Sequence, residues 1–223
     1  MTRGKIIVIE GTDGSGKRTQ AKLLYERLVS EKIPCKMMSF PRYDTPTGRI
    51  ISECYLGKEK SSWFHNPPKL DPKISSLLYA ADRLAAKDEI EQTIHLGINL
   101  ILDRYIESNM AHQGGKLPSM EREKFFKFIE NLEYGLLEMQ KPDVVVFLHM
   151  PTKFANELRE KRGEDPDAHE SDLNHLLNAE QAYLELAKNP NWIKINCVSE
   201  NKIKTPDEIH MEICREVGKL FPS

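Results

Sequence analysis

No Cys-x-x-Cys pair occurs in this chain. Cys35, Cys54, Cys197 and Cys214 stand far apart, which argues against a zinc site and against a disulfide framework and makes a reducing compartment the simpler home. Long apolar runs are missing too. The run after Lys5, Ile6-Ile7-Val8-Ile9, is shorter than the roughly seven residues of a secretory core, and no run approaches a membrane span. A cytoplasmic protein with no membrane partner is expected. Net charge is also small: 32 Lys and Arg against 34 Asp and Glu leave −2 at pH 7. No global field draws nucleic acid, so none is expected as a partner, and cationic residues are to be read locally. Repeats and low-complexity tracts are absent.

What is present suits one domain over 1–223, since 223 residues with 39% hydrophobic content can bury one good core but not two. Strand-like segments fall at Lys5 to Glu10, Cys35 to Phe40, Asn99 to Asp103, Asp143 to His149 and Trp192 to Asn196, with helical patterns between them. That alternation predicts a three-layer α/β/α architecture on a parallel five-stranded sheet. Continuous apolar runs such as Val144-Val145-Val146-Phe147-Leu148 suit strands covered on both faces. Asp71-Pro72 reads as a helix cap followed by proline, Gly97 as the end of that helix, and Thr205-Pro206-Asp207-Glu208 as a capping box. Gly57 to Lys69 reads as an irregular connection.

At the end of the first strand stands Gly11-Thr12-Asp13-Gly14-Ser15-Gly16-Lys17-Arg18-Thr19. Glycines there let backbone N–H groups turn inward as an anion nest, and a helix starting near Gly16 adds its positive end. Lys17 then reaches the outer phosphates. The general pattern asks for Ser or Thr after the lysine to ligate magnesium, whereas this chain has Arg18 and displaces the hydroxyl to Thr19. Water and carboxylates would hold the metal instead, while Arg18 supplies charge to the transferring group.

Ligands of open parallel sheets gather beyond the carboxyl ends of the strands. Two such ends carry Phe40-Pro41-Arg42-Tyr43 and Asp103-Arg104-Tyr105, and both are expected to turn an arginine toward the phosphate loop. Two guanidinium groups could hold a second phosphorylated molecule against the first, as a small-phosphate kinase requires. Taken singly, each arginine could be a surface ion pair. Asp103 could manage magnesium through water or simply cap a helix.

With Asp82-Arg83, Ser108-Asn109 and Lys141-Pro142-Asp143 added in order, these motifs cover most of the chain and resemble the thymidylate kinase family, which phosphorylates dTMP with ATP. The Lys-Arg-Thr loop ending and Phe-Pro-Arg-Tyr are similar to mycobacterial-type members. The resemblance implies the P-loop fold of nucleoside monophosphate kinases, ATP and Mg2+ as cofactors, and a homodimer. It implies that Asp13 meets the acceptor sugar and, with Asp103, the metal region. Arg42 would position Lys17 and the acceptor phosphate, and Arg104 would bridge the phosphate groups beside Lys17 and Arg18. Phe40 and Tyr43 would join the acceptor site, Tyr79 and Arg83 would receive the base, and Asn109 and Gln113 would complete the pocket. Tyr79 and Arg83 lie one helical turn apart, which permits a ring stack beside a hydrogen bond, although Tyr79 also fits an ordinary core role.

His112 stands where relatives carry Tyr or Phe near the deoxyribose, so greater tolerance of ribose acceptors is expected; a filler replacing an aromatic is the other reading. The charged stretch at about 153–172 corresponds to the family's lid. There Arg159 or Arg162 would reach the donor phosphates, and Asp167 and Glu170 would lie near the acceptor, or the stretch is a plain solvated loop. Phe125, Phe126, Phe128, Ile129, Leu132, Leu136 and Leu137 have helical spacing, suited to core packing or to a subunit contact. A kinase for another nucleoside monophosphate and a nonenzymatic nucleotide-sensing module remain alternatives. A GTP switch is disfavoured, because Asn201-Lys202-Ile203-Lys204 lacks the aspartate of a guanine-reading motif.

Overall fold

The central strands form where apolar residues run uninterrupted, because a parallel sheet covered on both faces has no solvated side. The computed structural model describes residues 2–56, 64, 70–162 and 173–221, the side chains of 159–162 excepted. The first elements are β1 (Ile6–Gly11), α1 (Lys17–Ser30), β2 (Cys35–Ser39) and α2 (Pro46–Arg49), which runs into a π-helical turn over Ile50–Tyr55. Next come α3 (Pro72–Leu84), α4 (Lys87–His95), β3 (Asn99–Asp103), α5 (Ile106–Gly114) and α6 (Ser119–Ile129), which continues as a π-helical stretch over Glu130–Leu136. The chain then forms β4 (Val144–His149), α7 (Thr152–Arg162), α8 (Leu173–Leu186), β5 (Trp192–Asn196), β6 (Val198–Ser199), β7 (Lys202–Ile203) and α9 (Pro206–Gly218).

The main sheet has the order β2-β3-β1-β4-β5 and is parallel throughout. Alternate residues of one strand serve opposite layers. Ile6 and Val8 of β1, with Leu100 and Leu102 of β3, pack on Ile90, Ile94, Tyr105, Ile106, Phe125 and Ile129. Ile7 and Ile9, with Ile101, Val144, Val146 and Leu148, pack on Leu24 and Leu28 of α1 and Ile209, Ile213 and Val217 of α9. Each fully buried aliphatic side chain contributes about 1.5–3 kcal/mol, and truncating one, such as Leu24→Ala, costs about 2–5 kcal/mol.

Helix ends follow local chemistry. Asp71 accepts the Lys73 N–H at 2.7 Å with Pro72 in the first helical position, and Thr205 and Glu208 form a reciprocal capping box. Two sequence expectations are corrected. The helix beginning at Asp71 stops at Leu84, and Gly97 ends the separate α4. The break at Ala85 and Ala86 is tertiary in origin: Ala86 is buried against the sheet, so the chain bends there without glycine or proline. Beyond the five strands expected, the chain also forms the β6–β7 antiparallel hairpin, whose turn residues Glu200 and Asn201 take positive φ.

Of the amphipathic residues at 125–137, Phe125 and Ile129 are core, while Leu136 is 80% exposed. None of the four cysteines is joined in a disulfide. Among the described residues no helix is long and apolar enough to cross a membrane. The expected connection at Gly57 to Lys69 lies, except for Phe64, outside the described residues.

Candidate functional site

Parallel pairing puts the carboxyl ends of β1 and β3 side by side, with Ile9 opposite Asp103, so the loop after β1 and residues Asp103 and Arg104 share one rim. Gly14 and Gly16 take φ of 79° and 85°, a left-handed backbone that side-chain-bearing residues seldom adopt. It curls 12–16 into a cradle ending at the N-terminus of α1. Lys17 Nζ lies back over the loop, 2.8 Å from the Thr12 carbonyl and 3.6 Å from the Asp13 carboxylate. Arg104 donates from Nη2 to the same carboxylate and from Nη1 to Ser108 Oγ and His112 Nε2, each at 3.2 Å.

Three charges therefore meet at one point. Burial would raise the Asp13 carboxyl, but Arg104 and then Lys17 outweigh it and hold Asp13 well below the usual carboxylate range. Burial and then Arg104 push the Lys17 ammonium down, against the pull of Asp13. Burial would lower the Arg104 guanidinium, yet Asp13 keeps it firmly charged. Arg104 also sits at φ 67°, an unfavourable angle for a residue with a side chain. Its backbone is held by donation from Arg104 N–H to the Ile9 carbonyl at 3.1 Å.

Behind Arg104 lies a carboxylate for which no role was expected. Glu10 is wholly buried. Its Oε1 accepts the N–H groups of Tyr105 and Ser108 at 2.9 and 3.0 Å, and its Oε2 accepts the hydroxyls of Ser108 and Tyr183 at 2.7 and 2.8 Å. A side chain of β1 thus satisfies donors at the start of α5, as a local cap would, and ties α8 to both. Ser108 relays that anchor to Arg104.

Asp13, Phe40, Pro41, Tyr43, Leu56, Tyr79, Arg83, Arg104, Tyr105, Ser108, Asn109, His112, Gln113 and His175 line a cavity of about 190 Å³. The expected acceptor residues Asp13, Phe40, Tyr43, Tyr79, Arg83, Arg104, Asn109, His112 and Gln113 are thereby brought together. Tyr79 stands edge-on to Tyr55, with centroids 5.8 Å apart. Arg83 is buried and forks onto Glu133 with two bonds of 2.6 Å, an anchor not distinguished in the sequence. Asn109 Oδ1 and Gln113 Oε1 are buried without a hydrogen-bond partner.

Arg42 departs from its expected place. Its backbone N–H donates to Asp82 Oδ2 at 2.9 Å and its Nη2 to the Asp82 carbonyl at 3.0 Å, so its charge is turned to α3 rather than to Lys17. The buried Asp82 also accepts the Thr47 hydroxyl at 2.7 Å, stapling the chain after β2 onto α3. Burial and then Arg104 hold the His112 imidazole well below its ordinary value. Neutral His112 accepts from Arg104 at Nε2, so its proton sits on Nδ1, directed at His175 Nε2 3.5 Å away.

Two oxygen donors fit a hard cation. Asp103 Oδ1 is buried without a partner, and Asp13 lies on the same rim; with no group of three or more metal-binding side chains among the described residues, phosphate oxygens and water would complete the shell, as Mg2+ prefers. Arg18 and Thr19 are exposed on the first turn of α1. At the foot of the expected lid, Glu180 of α8 accepts the N–H and hydroxyl of Thr152 at 2.9 and 2.7 Å, with His149 Nε2 3.0 Å away. The side chains of Arg159 and Arg162, and all of Asp167 and Glu170, lie outside the described residues.

The family model described as thymidylate kinase covers residues 9–209. The thymidylate kinase of Plasmodium falciparum (isolate 3D7) is 33% identical over 218 residues, spanning 98% of this chain and 91% of that protein. That of Dictyostelium discoideum is 30% identical over 222 residues, spanning 99% and 86%. The solved structure of the thymidylate kinase of Candida albicans superposes with a TM-score of 0.76 at 24% identity, covering 98% of this chain and 92% of that one; it shows a shared fold, the P-loop architecture of nucleoside monophosphate kinases. The chain belongs to the thymidylate kinase family.

Proposed function

We propose that this ATP-dependent kinase passes the γ-phosphoryl group of ATP to dTMP across the gap between the 12–16 loop and Arg104. The observation that carries the reading is the meeting of Asp13, Lys17 and Arg104 at the edge of the 190 Å³ cavity. An acceptor phosphate oxygen is already anionic and needs no strong base, so positioning and charge neutralisation supply most of the acceleration. Lys17 would hold the β- and γ-oxygens. Arg104 would swing its charge from Asp13 onto the oxygens shared between donor and acceptor, with Ser108 and Glu10 fixing its base. Asp13, relieved of part of that pairing, would take the acceptor sugar. Arg42 would hold the acceptor loop through Asp82, whose Oδ1 lies 3.5 Å from its Nε, and turn the rest of its guanidinium to the acceptor phosphate. Asp13 and Asp103 would hold Mg2+, which when bound supplies charge neutralisation to the donor phosphates.

In this reading Arg18 adds charge at the mouth of the loop, Thr19 lends a hydroxyl to it, and the segment at about 153–172 closes over a single domain as its lid, excluding water from the transfer. Ile74, Leu77, Ala81 and Leu84 form an exposed apolar stripe along α3. Its spacing of three, four and three suits a seam between two copies, which supports a homodimer. The unbridged cysteines support a cytoplasmic home. His112, packed between Arg104, His175 and Tyr183, would face the acceptor sugar and admit ribose.

The test is ADP release from purified protein with ATP, Mg2+ and a panel of monophosphates. Preferential turnover of dTMP is expected, and the reading fails if another monophosphate is the better acceptor or none is used. Comparison of UMP use by the wild-type and His112→Tyr proteins tests the sugar assignment, with the wild type expected to be the more tolerant.

A further inference from the structure

Two cavity residues from different helices share one anchor behind the wall. Glu133, on the π-helical stretch after α6, is wholly buried and is not itself among the lining residues. Its Oε2 accepts from Arg83 Nε and its Oε1 from Arg83 Nη2, and Oε1 also accepts from Asn109 Nδ2 at 3.0 Å. The other Asn109 amide hydrogen goes to the Ser76 carbonyl at 3.2 Å. Both partners only accept, so a flipped amide would set oxygen against oxygen, and Oδ1 is fixed as the outward atom.

That fixed polarity leaves unused groups at the wall. Asn109 Oδ1 has no partner, nor has Gln113 Oε1 one turn further along α5. Arg83 spends Nε and Nη2 on Glu133, and its Nη1 has only a long 3.5 Å contact with the Tyr105 carbonyl. Glu133 also balances the Arg83 charge inside the protein, so Nη1 acts as a directed donor rather than as a magnet for anions.

We propose that Glu133 is the positioning residue that sets the hydrogen-bond polarity of the acceptor-base pocket, favouring a ring edge with a carbonyl beside a ring N–H over one with an amino group beside a bare ring nitrogen. The proposal rests on the dTMP-kinase reading above. A thymine edge gives Nη1 an acceptor and the amide oxygens a donor. A cytosine edge reverses both, leaving desolvated groups facing their own kind, which a hydrogen-bonding site rejects strongly.

The experiment measures kcat and KM for dTMP, dCMP and ATP in the wild-type chain, in Glu133→Gln and in the double variant Arg83→Met/Glu133→Leu, which leaves no buried charge unpaired. In the wild type, kcat/KM for dTMP should exceed that for dCMP at least about 100-fold. Glu133→Gln puts an amide against three donors; KM for dTMP should rise about tenfold, KM for ATP should stay within about twofold, and the dTMP to dCMP preference should fall at least about tenfold. The double variant should lose the same preference, and it decides the matter if Glu133→Gln does not fold. A drop in kcat with both KM values and the preference intact, or a preference retained in the double variant, overturns the proposal. A wild type that uses dTMP and dCMP equally well overturns it while sparing the kinase reading, whereas a wild type that uses no monophosphate overturns the kinase reading itself.

Discussion

Arg104 holds an uncommon backbone angle and makes three side-chain contacts, to Asp13, Ser108 and His112, so its guanidinium is held at the loop and has only to exchange Asp13 for substrate oxygens. Arg104→Ala and Lys17→Ala should each lower kcat by about 100- to 1,000-fold, the cost of losing one preorganised charge, with an unchanged circular dichroism spectrum. A second residue-scale prediction concerns Glu107. Burial raises its carboxyl from the ordinary 4.5 to about 7, despite the hydrogen bond from Tyr134. The folded protein therefore keeps a proton that the unfolded chain releases between those values. The resulting stabilisation is full below about 4.5 and is lost as the pH climbs to 7, in all by about 3 kcal/mol. Melting curves should show Glu107→Gln gaining on the wild type by roughly 6–12 °C across that range, and parallel curves for the two proteins would refute the assignment. Motif residues such as Lys17 and Arg104 were legible because glycine spacing and strand ends mark them. Glu133 and Glu10 were not. Glu133 sits three residues from Glu130, which is exposed, and nothing local separates a carboxylate that answers a buried arginine from one that answers water.

At the scale of elements, α5 carries the Arg104 contacts, yet its start lacks a side-chain cap of its own. Glu10 of β1 does that work from across the sheet. Glu10→Ala would leave two N–H groups and two hydroxyls without their acceptor, and should cost about 3 kcal/mol or more, seen as a melting point lower by roughly 6–12 °C together with reduced turnover. The three central strands were legible because their apolar runs have one physical use, and the edge strands β2 and β5, interrupted by Lys36 and Lys194, by their place in the alternation with helices. The helices at 72–95 were read as one, since Leu84-Ala85-Ala86 is good helix sequence and the bend is imposed by packing of Ala86 on the core. The β6–β7 hairpin escaped because strands of two residues are too short for alternation to register. Its one signal was Asn201, which tolerates positive φ.

For the whole molecule, the exposed stripe on α3 makes a prediction about assembly. Leu77, 53% exposed, contributes little to the fold of the single chain, so Leu77→Glu should leave the circular dichroism unchanged while shifting sedimentation from dimer to monomer. A wild type that sediments as a monomer would remove the dimer from the reading. At the opposite rim of the sheet, where β1 and β4 enter, Asp143 accepts from Ile6 N–H at 2.9 Å and pairs with Arg3 and Lys5 at 3.1 Å. These cations are over two-fifths exposed, so Asp143→Ala should cost only about 1 kcal/mol and leave kcat untouched. The parallel sheet thereby separates two kinds of tinkering. Every strand points its chemistry one way, and the far edge becomes ground on which robustness can be adjusted, fusions attached or loops lengthened without the reaction registering the change.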